Sequence, residues 1–181
     1  MKGYAIVTAV GKDRVGIVDD ISREVLDLKC NIEESRMALL GGDFAALLLV
    51  SGEADAVDSL IHEAPAFASK LVLAVQARTT SAPTETVDAL PYLLESASFD
   101  TPGIVHSITA VLRRTGVNIA SMETDTSPAP WTGAPMFTLR ARIAVPRSVS
   151  VAVLRRDLEA LESELNLDLT LNSAATVAVE R

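Results

Sequence analysis

Apolar and polar positions run through the same series twice along this chain. Residues 4–10 form a short apolar run rich in β-formers between Gly3 and Gly11, which predicts a buried strand. Residues 11–14 read as a turn. From 15 to 29, apolar residues recur at Ile17, Val18, Ile21, Val25 and Leu28, one face of a helix. Asp19, Asp20, Arg23, Glu24 and Asp27 take the opposite face. Residues 31–40 and 44–50 predict two strands joined by a hairpin turn at Gly41-Gly42-Asp43. Residues 54–64 predict a second helix with Val57, Leu60, Ile61 and Ala64 on one side, ended or kinked by Pro65. Residues 70–77 supply a last strand. The order is βαββαβ, the ferredoxin-like pattern of one antiparallel sheet with both helices on one face.

A polar stretch at 79–86 then reads as a linker, and the series restarts. Residues 89–97 are the strand and 98–102 the turn, where Thr101 as N-cap before Pro102 suits a helix start. Ile104, Val105, Ile108, Val111 and Leu112 make the helix face, and Gly116 fits the residue just past its end. Residues 117–126 and 136–145 predict strands, separated by a long proline-rich connection, 127–135, that carries Trp131. Residues 149–165 predict the second helix and 167–179 the last strand. The expected fold class is α+β, as two tandem βαββαβ modules: residues 1–78, a linker at 79–88, and residues 89–181.

The repeat is also visible residue by residue. Asp13-Arg14-Val15-Gly16-Ile17-Val18 is matched by Asp100-Thr101-Pro102-Gly103-Ile104-Val105, and Asn31-Ile32 by Asn118-Ile119. The offset is constant, since 100 − 13 and 118 − 31 both equal 87. Two modules of about 85 residues each follow, small enough that pairing, within the chain or in a dimer, is expected to support them.

Composition narrows the function classes. Hydrophobic residues make up 49%, enough for two cores. A net charge of −8 disfavours a phosphate-backbone binder, so no direct nucleic-acid contact is expected. Cys30 is the single cysteine, which rules out an intrachain disulfide. With no signal-peptide pattern and no apolar run of membrane-spanning length, a cytoplasmic protein is the expectation. His62 and His106 are isolated from each other and from Cys30, so no metal site is expected. Asp19-Asp20 and Glu33-Glu34 are adjacent pairs whose side chains diverge, and no nucleotide loop or serine elbow is present. No catalytic residue and no cofactor is expected. Trp131 suits either a partner anchor or packing on its own module.

The two copies of the Asp-x-x-Gly-Ile-Val turn, each followed by Asn-Ile, resemble the ACT domain family, whose pattern is Asp-x-Pro-Gly-Ile/Val and then Asn-Ile. Pro102 matches it and Val15 departs from it. As a tandem pair without a catalytic domain, the chain is similar to the glycine cleavage system transcriptional repressor family. That resemblance implies a regulatory protein with an amino acid, such as glycine, as effector and a regulatory protein as partner. It also implies a ligand site where the strand-to-helix turn of one module meets strand two of a neighbour. The residues carried over are Gly11, Asp13, Gly16 and Asn31, with Ser98, Asp100, Gly103 and Asn118. Physically, N–H groups at a helix start suit a carboxylate and an Asp suits an α-ammonium. The same Asp and Gly residues also suit a helix cap and a tight turn, and a structural interaction module without a ligand is the alternative.

Overall fold

The computed structural model describes residues 1–82, 88–130 and 132–174, and the chain divides into two compact units, residues 1–85 and 86–181. In the first unit the elements are β1 (Lys2–Lys12), α1 (Ile17–Asp27), β2 (Asn31–Leu40), β3 (Asp43–Glu53), α2 (Ala54–Leu71) and β4 (Ala74–Thr80). The second repeats them as β5 (Ala89–Phe99), α3 (Ile104–Arg114), β6 (Asn118–Pro128), β7 (Pro135–Pro146), α4 (Val151–Leu165) and β8 (Asp168–Ser173). The sheets have strand orders β2-β3-β1-β4 and β6-β7-β5-β8, antiparallel at every neighbouring pair. This is the tandem ferredoxin-like architecture that the double periodicity predicts.

Each core lies between sheet and helices. Period-two alternation turns Ala5, Val7 and Ala9 of β1 and Phe44, Ala46, Leu48 and Val50 of β3 inward. They meet Ile17, Ile21 and Val25 of α1 and Val57, Leu60, Phe67 and Leu71 of α2. In the second unit Leu94, Leu139, Ala141, Ile143 and Val145 pack on Ile108, Leu112, Leu154 and Leu158. The Gly41-Gly42 turn has both glycines at positive φ, 60° and 84°, which matches the twist of the strands it joins. Gly116 past α3 has φ 71°.

Four local expectations change. Pro65 does not end α2, which continues to Leu71. An interior proline costs roughly 3 kcal/mol, whereas the final turns bury Phe67 and Leu71, about 1.5–3 kcal/mol each. Packing outweighs the proline, so Lys70 is helical and β4 starts only at Ala74. There Lys70 meets the carboxylate of Glu24, which lies almost fully buried on α1. Gly11 and Ser98, expected in turns, are still within β1 and β5, each one residue before the strand's end. Thr101 is not the cap of α3. Trp131 and residues 175–179 of the expected last strand lie outside the described residues.

Candidate functional site

The chain reverses from β1 into α1 over Asp13–Gly16. Gly16 is the N-cap, at φ 85° and ψ 0°, and Gly103 takes the same place before α3 at φ 100° and ψ −6°. This left-handed backbone, which costs other L-residues about 1–2 kcal/mol, is why glycine stands there. Nothing lies within 4 Å of where a Cβ would sit on either glycine, so the space beside each helix start is open. The first helical bonds are Asp20 N–H to Gly16 O and Ser107 N–H to Gly103 O, both 2.9 Å. The N–H groups of Val18 and Asp19, and of Val105 and His106, make no backbone bond among the described residues.

Asp13 and Asp100 are not caps. Neither helix has a side-chain cap bond, and both carboxylates are exposed. Their backbones are tethered instead: Asp13 N–H donates to Gly42 O at 3.3 Å and Asp100 N–H to Pro135 O at 3.0 Å. Around Asp13 the other charges are matched, Lys12 with Asp43 and Arg14 with Asp20, each at 2.7 Å. Among the described residues Asp13 is left as an unmatched carboxylate beside an open helix start.

Gly11 has a packing role. A Cβ there would fall 2.6 Å from Leu73 Cδ2 and 3.3 Å from Val72 O. Ser98, its counterpart by the 87-residue offset, is buried on the helix side of β5, and among the described residues its Oγ has no partner, nor does that of Ser96. Two orphaned hydroxyls on one strand face are uncommon, since such burial costs about 1–3 kcal/mol each. Nothing in the sequence marks them, because orphaning depends on what the neighbouring elements offer.

Asn31 and Asn118 open β2 and β6 and are exposed. Asn31 is level with Ser51, which is level with Tyr4 at the start of β1. Within one module, Asn31 therefore sits at the opposite end of the sheet from Asp13, roughly 25 Å away at about 3.3 Å per strand residue. Each module brings Asp and Gly together and holds Asn apart. Asn31 belongs instead to a polar group that sequence reading missed. Glu33 Oε1 accepts from Ser51 Oγ at 2.5 Å and from Lys2 Nζ at 2.9 Å, with the Lys2 ammonium 5.3 Å from the Tyr4 ring centre. Ser51, then Lys2, holds the Glu33 carboxyl below its usual range. A bulge between Ile32 and Glu34 aims Glu33 at Ser51, while Glu34 pairs with Arg36 at 2.7 Å.

The family model for the ACT domain matches residues 3–78, and the second module repeats the same βαββαβ order and glycine-capped turn. Over 170 residues the chain is 32% identical to the glycine cleavage system transcriptional repressor of Escherichia coli (strain K12), covering 93% of this chain and 89% of the relative. The crystal structure of an unknown protein from Galdieria sulphuraria is 35% identical with TM-score 0.81, covering 96% of this chain and 99% of that one. A solved structure described as a candidate glycine cleavage system transcriptional repressor has TM-score 0.70 at 24% identity, covering 95% and 97% of the two chains, which supports the fold. This chain belongs to the family of the glycine cleavage system transcriptional repressor, a family of regulatory proteins and not of enzymes. Among the described residues, no helix is long and apolar enough to cross a membrane.

Proposed function

We propose that this protein senses a small amino acid, glycine or one close to it in size, and passes the signal to a protein partner in the control of amino-acid metabolism. The observation that carries the reading is the unmatched Asp13 carboxylate beside the open, Gly16-capped start of α1, repeated at Asp100 and Gly103. A ligand carboxylate would accept from the free helix-start N–H groups, and its ammonium would donate to the Asp. Asn31 and Asn118 would join the site from a neighbouring module, which gives pairing of modules a role in completing it. The −8 charge supports acting through another protein rather than on DNA directly.

The alternative, an interaction module without a ligand, draws on the exposure of Val15, Leu26, Leu39 and Leu40. A melting panel with the twenty amino acids separates the two. Ligand at a hundredfold excess over its Kd adds about 2.7 kcal/mol of apparent stability, and a panel in which no amino acid shifts Tm refutes sensing.

A further inference from the structure

The two modules differ at the seam between their second helix and last strand. Val72 and Asn166, both left-handed, end α2 and α4 and put the seams in register. Ile61, Ala68, Val75 and Ala77 then stand where Arg155, Glu162, Leu169 and Leu171 stand in the second module. In the second module the helix seals its own edge strand. Arg155 Nη2 donates to Leu171 O at 2.7 Å, and Leu169 N–H donates to Glu162 Oε1 at 3.0 Å. The hollow that remains is about 50 Å³.

In the first module both sealing side chains are missing, and a half-open hollow of about 380 Å³ runs over the β4 edge, from Ile61, Ala64 and Pro65 on the helix side to Thr8, Gln76 and Arg78 on the other face of the sheet. β4 is a sheet edge, and Val75 and Ala77 face Ala9 and Val7 as Leu169 and Leu171 face Ser96 and Leu94. By the same register their N–H and C=O groups point outward, as the Leu169 N–H and Leu171 C=O bonded from outside the sheet do, and no turn, loop or side-chain bond reaches them among the described residues. Pro65 adds the C=O of Ile61, which its missing N–H leaves without a helical bond. Arg78 is exposed, with no ion pair among the described residues.

We propose that this seam binds an extended peptide segment of a partner protein as a fifth strand on β4, with an apolar residue in the cavity and an acidic residue beside Arg78. It takes from the proposed function only that a protein partner exists. The free groups are spaced two residues apart, roughly 7 Å, which another extended chain matches and main-chain bonds then hold. A second copy of β4 fits less well. Its Val75 and Ala77 already pack on their own core, and the cavity would stay unfilled.

The test is amide NMR of the full chain, without added amino acid, titrated with the blocked pentapeptide acetyl-Glu-Leu-Thr-Val-Glu-amide. Saturable shifts centred on Val75 and Ala77 are expected, weakened about tenfold by Arg78→Ala. Ile61→Arg with Ala68→Glu, which installs the second module's seal, should abolish them. The same peptide N-methylated along its backbone should not bind. If circular dichroism shows the double variant misfolded, the N-methylated peptide and Arg78→Ala decide the matter. Absence of shifts at Val75 and Ala77 overturns the proposal. Equal binding of the N-methylated peptide overturns it in favour of a simple apolar pocket. Shifts that track protein concentration without peptide overturn it in favour of a second copy.

Discussion

Replacing Asp13 by Ala separates a cap from a ligand site, because the two roles predict different magnitudes. An N-cap carboxylate is worth about 1 kcal/mol, and losing that from a module of this size lowers Tm by roughly 4–8 °C. Asp13 makes no cap bond, since Gly16 caps α1, and its side chain is exposed. The expected stability change is therefore within about 0.5 kcal/mol. Binding should respond differently. A carboxylate that pairs with an α-ammonium contributes about 2–5 kcal/mol when the pair is desolvated, so affinity should fall at least about tenfold. Thermal melting of Asp13→Ala, Asp100→Ala and the parent gives the first quantity. Calorimetric titration with the best ligand from the melting panel gives the second. Parental affinity in both variants would remove the helix-start site from consideration. A drop in Tm of cap size would show that the carboxylate bonds to the helix after all.

Gly16→Ala and Gly103→Ala meet no atom but force a left-handed alanine, so each should lose about 1–2 kcal/mol in denaturant melts. A loss above that range would mean that the open space is occupied. Pro65→Ala restores an N–H to bond Ile61 C=O and should raise stability by up to about 3 kcal/mol, whereas a fall in Tm would show that Pro65 fits α2 without strain. Glu33 has a folded pKa below its unfolded one, so its contribution is present above the ordinary carboxyl range, near 4.5, and is lost as pH falls through the lower folded value. Glu33→Gln should flatten the acid limb of the stability curve, and an unchanged limb would place that titration elsewhere.

Element order was legible because periodicity is a local property. Alternation over one strand and a 3.6-residue stripe over one helix each report a buried face without knowledge of what covers it. The repeated Asp-x-x-Gly-Ile-Val turn was legible for a related reason: a left-handed backbone position selects glycine wherever the chain needs it. Pro65 was not, because the decision to continue α2 rests with Phe67 and Leu71 finding a core built by distant strands. Nor was the role of Asp13, since proximity in sequence to a helix start does not tell whether a side chain reaches the free N–H groups. The separation of Asn31 from Asp13 is a matter of sheet topology: β2 starts at the end where β1 starts. The orphaned hydroxyls of Ser96 and Ser98, and the seam sealed in one module and open in the other, also belong to tertiary structure. Each depends on which side chains a neighbouring helix brings within bonding distance, and no single stretch of sequence contains both partners.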